Sequence, residues 1–189
     1  MTSSELVGVI ITPDAIRDKL VDRLLQDLLA LGSINIVWMS RRVLLGRNDV
    51  IFLYPELIGR EFFPAVINAL TMGESVALLV QGESAFAKIR GIKGKLRLEN
   101  GVLMTGGLRL KYRSWSSNEV RSLPTTFGEI DQSLVKRIFE FRIHTAENTT
   151  ETARICHLYM GIEEVATLSD VSPETLVEVN RLAKEREYG

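Results

Sequence analysis

The chain has 189 residues, of which 46% are hydrophobic and 25% charged, and its formal net charge is -1. This length and composition are typical of one globular domain with a sizeable core. A chain this close to neutral has no broad positive field, so we expect no nucleic-acid partner. The single cysteine excludes an intrachain disulfide framework. We expect a cytoplasmic protein that does not enter a membrane, because no signal peptide or apolar run of about 18 residues is present.

The hydrophobic pattern of the first half predicts alternating strands and helices. Pro13 and Gly32 bound the first predicted helix, since proline favours a helix start and glycine a helix end. The predicted elements are a strand at 6–12, a helix at 13–29, a strand at 34–39, a short helix at about 48–53, a helix at 62–70, a strand at 75–80 and a helix at 85–92.

The pattern is weaker between residues 95 and 136. Asn100-Gly101 and Gly106-Gly107 predict turns, with short strand-like pieces around them. We interpret residues 113–136 as a surface insertion. Beyond it the sequence predicts a strand at 138–144, a helix at 148–159 and a final helix at 172–186 with Ser172 as its N-cap.

A histidine lies at the end of the predicted strand 138–144. The alternation places Phe139, Phe141 and Ile143 on one face and Glu140, Arg142 and His144 on the other. His144 therefore lies on the polar face, just before hydroxyl and acidic side chains. Because neutral imidazole is available near pH 7, this histidine is a candidate nucleophile or general base.

The order of the elements predicts the fold. Helices lie between strands that are too few for a doubly wound sheet. We therefore predict an α+β fold, a ferredoxin-like split β-α-β sandwich with an antiparallel sheet, plus an insertion and an extra C-terminal helix. The predicted domain covers residues 1–160, and residues 161–189 form its helical extension.

Six segments, in order, resemble the nucleoside diphosphate kinase family. They are Thr12-Pro13-Asp14-Ala15, Tyr54 with Phe62-Phe63, the strand from Gly73 to Gly82, Arg90 with Gly94, Leu108-Arg109-Leu-Lys-Tyr112, and Ile143-His144-Thr-Ala-Glu-Asn148. The resemblance covers roughly residues 6–160. It implies the same fold, and it implies homo-oligomers.

The resemblance also implies an activity. The γ-phosphate of a nucleoside triphosphate would pass to a nucleoside diphosphate through a phosphohistidine on His144. Arg90 and Arg109 would hold the phosphates, Tyr54 would donate its hydroxyl to the transferring phosphate, and Phe62 would stack on the base. Mg²⁺ would arrive with the nucleotide, and Thr12 occupies the position of a phosphate-binding lysine.

The sequence departs from the family pattern at that lysine and at Phe141, Ala146, Leu96 and Ile155. Ile155 replaces a glutamate that orients the histidine, and Glu147 or Glu151 are candidates to replace it. The missing positive charge has four candidate sources, which are Lys19, Lys88, Lys93 and Lys95.

Three hypotheses therefore remain open. The chain is a divergent nucleoside diphosphate kinase, or it is a nucleotide-binding pseudoenzyme with a regulatory role, or it is an unrelated α+β domain such as an RNA-binding module. An RNA-binding sheet needs exposed aromatic and basic residues on its central strands. Phe139, Phe141 and Arg142 meet that requirement poorly, and the net charge argues against it.

Overall fold

The computed structural model describes residues 4–94, 96–99, 102–114, 140–160, 162–168 and 172–188. Its strands are β1 Ser4–Ile11, β2 Ile34–Met39, β3 Val43–Leu44, β4 Glu74–Glu83, β5 Leu96–Glu99, β6 Val102–Thr105 and β7 Ile143–Thr145. Its helices are α1 Pro13–Arg17, α2 Val21–Leu29, α3 Arg47–Leu53, α4 Phe63–Thr71, α5 Ala85–Lys93, α6 Gly107–Lys111, α7 Thr149–Tyr159, α8 Ile162–Thr167 and α9 Pro173–Tyr188, with a 3-10 turn at Pro55–Leu57.

The main sheet has the strand order β2-β4-β1-β7, and β3 pairs with the far end of β4. Every pair in it is antiparallel. The first strand thus lies between the third and fourth main strands, with helices in the crossovers, which is the split β-α-β arrangement. The predicted ferredoxin-like α+β fold is confirmed.

The central strand β1 is buried along most of its length, from Leu6 to Ile11. Helix α7 reaches it closely because Gly8 has no side chain: a Cβ there would lie 2.8 Å from Ile155 Cδ1. The backbone amide of Gly8 donates to Thr152 Oγ1 at 3.1 Å. These contacts fix α7, which directly follows the segment of His144, against the middle of the sheet.

The C-terminal helices pack onto α7 and the sheet. Buried side chains of these helices, of the α7 region and of strands β1 and β4 form one apolar cluster of Leu6, Leu79, Ala153, Cys156, Met160, Val165, Val179 and Leu182. Trp38 Nε1 also donates to Glu164 Oε1 at 2.8 Å, which ties α8 to β2. The predicted N-cap is confirmed, since Ser172 Oγ accepts from the Thr175 amide at 3.2 Å. In the described part of the chain, no helix is long and apolar enough to cross a membrane.

Three predicted elements were wrong in detail. The helix predicted over 13–29 is two helices, because Lys19 adopts φ +56° between them. The segment around Arg109 is helix α6 and not a strand piece. The strand predicted over 138–144 is limited in the described residues to β7, because Arg142 adopts φ +60° and ends the extended run. The predicted insertion at 113–136 lies almost wholly outside the described residues.

The C-terminal end of α5 is held against the start of α6 by two glycines in contact. Gly94 has φ +81°, and a Cβ on it would lie 1.6 Å from the Gly106 carbonyl oxygen. Gly107 has φ +58°, and its Cβ would lie 2.0 Å from the Ile92 carbonyl oxygen. No side chain fits between these backbones, so the last residue of α5 is fixed beside α6.

We expect Gly94→Ala to lower the free energy of unfolding by at least about 2 kcal/mol, because both its φ and its contacts exclude a Cβ. The matched control is Gly91→Ala on the same helix, where a Cβ would have open space. That change should stabilise the protein by about 0.5–1 kcal/mol through helix propensity. Urea denaturation measures both values. Equal effects of the two substitutions would contradict the close contact.

Candidate functional site

A pocket of about 370 Å³ lies where the 3-10 turn after α3 meets α4, α5, α6, β7 and α7. Its lining contains one histidine, two cationic side chains, three carboxylates and an apolar wall. The lining residues are Tyr54, Glu56, Leu57, Phe62, Val66, Lys93, Arg109, Phe141, His144, Glu147 and Glu151. Four of the six predicted site residues therefore line one pocket. They are Tyr54, Phe62, Arg109 and His144.

His144 is placed by the pairing of β7 with β1, in which it lies opposite Ile10. Its neighbours Ile143 and Thr145 are buried, whereas His144 is partly exposed to the pocket. The Tyr54 ring meets it edge-on, with ring centroids 4.9 Å apart. Burial, then the charges of Lys93 and Arg109, hold the pKa of His144 well below its usual 6.5. The imidazole is thus neutral at pH 7, and a ring nitrogen is free of a proton for nucleophilic attack.

Arg109 lies on α6 with its guanidinium beside the histidine strand. Nη2 donates to the Ile143 carbonyl at 3.3 Å, and the guanidinium carbon lies 5.4 Å from the centre of the Phe141 ring. Burial lowers the pKa of Arg109 to about 10. Its buried Nε has no hydrogen-bond partner among the described residues. A guanidinium that lines a pocket is suited to an anionic ligand.

The apolar wall comes from Tyr54 and from α4. Tyr54 is 8% exposed, and burial raises its pKa well above 10, so its hydroxyl remains a proton donor. Phe62 and Val66 are one helical turn apart and both line the pocket. The sequence analysis did not name Val66, although its spacing from Phe62 is the signal of a shared helix face. This wall gives the pocket an apolar contact surface.

Glu151 belongs to the cap of α7. Its carboxylate accepts from the Glu147 amide at 2.9 Å, and its own amide donates to Asn148 Oδ1 at 2.9 Å. Glu147 lies 3.7 Å from Lys93 Nζ. In the described part of the chain, neither carboxylate has a hydrogen bond to the His144 ring. Glu151 therefore supports the N-terminal cap at Asn148, and neither glutamate orients the histidine here.

Two predicted site residues do not line the pocket. Thr12 is fully buried, and its hydroxyl donates to Asp14 Oδ1 at 2.6 Å. Arg90 is exposed on α5. Of the four lysines proposed as substitute cations, Lys93 lines the pocket, while Lys19 and Lys88 do not. Lys95 lies outside the described residues.

The sequence pattern placed Arg142 on the polar face of the predicted strand, but Arg142 lies outside β7 and is buried. Its side chain is 1% exposed, and it forms ion pairs with the carboxylates of Asp14, Asp18 and Glu140. Nη1 donates to Asp18 Oδ2 at 2.6 Å, and Nη2 to Glu140 Oε2 at 3.0 Å. Its backbone amide donates to Asp14 Oδ2 at 3.0 Å. This ion-pair cluster ties the residues before His144 to α1, so its role is to position the strand.

The described residues contain no group of three or more histidine, cysteine or acidic side chains that could hold a metal ion. The three pocket glutamates therefore form no metal cage. An ion such as Mg²⁺ that arrives with a nucleotide would be held mainly by phosphate oxygens and water. The charge that such an ion supplies would neutralise the phosphates. No protein ligand for it is assigned.

Comparisons with known proteins support the family of the resemblance. The family model described as nucleoside diphosphate kinase matches residues 5–122, which include Thr12, Tyr54, Phe62, Arg90 and Arg109 but not His144. A nucleoside diphosphate kinase of Methanocaldococcus jannaschii is 32% identical over 91 residues, which cover 48% of this chain and 64% of that protein. That alignment thus spans less than two thirds of the relative.

A nucleoside diphosphate kinase of Hydrogenovibrio crunogenus is 32% identical over 103 residues, covering 54% of this chain and 70% of that protein. Among solved structures, the Borrelia burgdorferi nucleoside-diphosphate kinase with bound vanadate and ADP, a transition state mimic, superimposes with a TM-score of 0.60. It is 16% identical and covers 87% of this chain and 91% of that one, so it supports the fold. The family match covers more than half of the chain. The chain belongs to the nucleoside diphosphate kinase family.

Proposed function

We propose that this chain is an active nucleoside diphosphate kinase, which transfers the γ-phosphoryl group of a nucleoside triphosphate to a nucleoside diphosphate through a phosphohistidine on His144. The observation that carries the proposal is a neutral His144 in a pocket that also holds Arg109 and Lys93. Family membership supports it, as does the vanadate and ADP bound to the Borrelia protein of the same fold.

The reaction has two matched halves. A ring nitrogen of His144 forms a bond to the γ-phosphorus, while the bond from that phosphorus to its bridging oxygen breaks and the diphosphate leaves with the electron pair. A terminal β-phosphate oxygen of the second diphosphate then attacks the phosphohistidine, and the imidazole is regenerated. Because His144 is already neutral, no base is required to deprotonate it before the first step.

The surrounding side chains act by position and charge. Arg109 would bind phosphate oxygens through the paired N–H groups of its guanidinium. Its positive charge would stabilise the negative charge on the phosphoryl group during transfer. Tyr54, which keeps its proton, would donate to the transferring phosphate. Phe62 and Val66 would contact the base, and stacking of this kind does not depend on which base is bound. The predicted phosphate contacts of Thr12 and Arg90 gain no support from the pocket, because neither residue lines it.

The wider assignments are part of the same proposal. The substrates are nucleoside di- and triphosphates, with Mg²⁺ carried by the nucleotide, and the setting is the cytoplasm. The resemblance supports a homo-oligomer. We also propose that residues 1–160 form the kinase domain and that residues 161–189 extend it, which agrees with the packing of α8 and α9 onto α7 and β2.

Steady-state kinetics test the proposal. With GTP as donor and dADP as acceptor, the chain should produce dATP, and double-reciprocal plots at several fixed acceptor concentrations should be parallel, since a covalent intermediate separates the two halves. His144→Ala should abolish the transfer. Nucleotide binding without transfer in the wild-type protein would contradict the proposal and indicate the pseudoenzyme.

A further inference from the structure

Lys93 is brought into the pocket by the contact between α5 and α6. It is the last residue of α5, and Gly94 directly after it lies against the backbone of Gly106 and Gly107. Arg109 follows Gly107 by two residues on α6. The two cations therefore line the same pocket, although they are sixteen positions apart in sequence. The glycine contact fixes their common location before any ligand arrives.

The Lys93 ammonium is buried without a close ion pair. The residue is 6% exposed, and the nearest carboxylate oxygen in a described ion pair, from Glu147, is 3.7 Å away. Glu147 is itself about half exposed. A buried charge with weak compensation opposes folding. Such groups are concentrated at functional sites, where a ligand provides the missing opposite charge.

The position that directly follows β1 provides no positive charge for a phosphate. Thr12 is buried there, and its hydroxyl is used by Asp14. Among the described lining residues, Lys93 and Arg109 are the basic side chains that accompany His144. A nucleoside triphosphate carries several negative charges and needs more than one cation at its phosphates.

We propose that Lys93 binds the phosphate groups of the nucleotide together with Arg109, and so supplies from the end of α5 a charge that the transfer needs. This inference rests on the proposed function, because it assigns a further residue of the same site. Lys93 is a phosphate-binding residue in this account, with a flexible ammonium, while the guanidinium of Arg109 is fixed by the Ile143 carbonyl.

The charge of Lys93 makes the site sensitive to alkaline pH. Burial and, to a smaller extent, the positive charge of Arg109 lower the pKa of Lys93 from 10.5 to about 8. The charged and titratable groups that face it are Arg90, Arg109, His144, Glu147 and Glu151. His144 is neutral throughout this range and Arg109 titrates near 10. Loss of the Lys93 proton should therefore weaken phosphate binding as the pH rises through about 8.

Isothermal titration calorimetry with ADP tests this inference on the full chain. At neutral pH, Lys93→Met should bind ADP about 10- to 100-fold more weakly than wild type. This is the loss of affinity expected when one hydrogen bond to a charged group is removed. Wild-type affinity should fall between about pH 7 and pH 9, and the fall should be absent in Lys93→Met. Lys93→Arg should bind without this pH dependence, because guanidinium does not titrate there. Lys88→Met, on the same helix but outside the lining, is the matched control.

Thermal melting separates a ligand-binding lysine from a structural one. Lys93→Met should melt at a higher temperature than wild type, because it removes a buried, weakly compensated charge. An unchanged ADP affinity and pH dependence in a folded Lys93→Met would overturn the inference while leaving the proposed function intact. Failure of the wild-type protein itself to bind ADP or transfer phosphate would overturn both. An ADP affinity that is lowered by Lys93→Met but not by Lys88→Met supports the inference, whereas support for the proposed function also requires phosphate transfer by the wild type.

Discussion

Arg142→Met is expected to lower the free energy of unfolding by about 3–5 kcal/mol, the usual cost of removing one partner from a buried ion pair. Arg142 is 1% exposed and Asp14 2%, so the substitution would leave the Asp14 carboxylate buried without its cation. Burial already raises the pKa of Asp14 despite this ion pair. The hydrogen bonds to Asp18 and Glu140 would be lost as well.

The matched control for this prediction is Arg17→Met. Arg17 pairs with two of the same carboxylates, those of Asp18 and Glu140, but its side chain is 51% exposed. Exposed ion pairs contribute only about 0–1 kcal/mol. Urea denaturation of both variants gives the comparison. Similar losses for the two arginines would contradict the account, because Arg142 is buried and also pairs with the buried Asp14, whereas Arg17 is exposed.

Arg109→Met is expected to lower the kcat/KM of phosphate transfer by about 10²–10³-fold, the cost of removing one preorganised donor from a site of developing charge. Arg109 is held by the Ile143 carbonyl beside His144, and its buried Nε is unpaired among the described residues. Arg109→Lys should recover only part of the rate, because lysine lacks the planar fork. Steady-state kinetics at saturating Mg²⁺ measure these values.

Lys111→Met controls for a general loss of positive charge on α6. Lys111 is exposed, and its ammonium lies 2.7 Å from Asp27 Oδ1, away from the pocket lining. Its substitution should leave the transfer rate unchanged. A folded Arg109→Met with wild-type kcat/KM would show that Arg109 does not act on the phosphates. Equal losses for both variants would indicate an effect of net charge alone.

Much of the fold could be predicted because its signals are local. The apolar runs of β1 and β4 and the amphipathic stretches of α2 and α4 depend on residues within each segment. The break at Lys19 could not be predicted, since no glycine or asparagine marks its positive φ. The prediction for Arg142 was wrong for another reason. Its burial depends on carboxylates far away in the sequence, and alternation assigns a charged residue to the surface by default.

The site was predicted in part. Tyr54, Phe62, Arg109 and His144 meet in one pocket, as the resemblance implied, but Thr12 and Arg90 lie outside its lining. Lys93 was one of four equal candidates, because the sequence does not show which way a helix end faces. The contact of Gly94 with Gly107 decides that question, and it is a contact between backbones that no sequence pattern encodes.

The central claim is that His144 is the residue that carries the phosphoryl group. The most direct test is intact-protein and peptide mass spectrometry after brief incubation with ATP and Mg²⁺ under alkaline conditions, which preserve phosphohistidine. The account predicts one added phosphoryl group, located on His144, lost in acid and lost on addition of a nucleoside diphosphate. Phosphate on any other residue, or none on a protein that binds ATP, would contradict it.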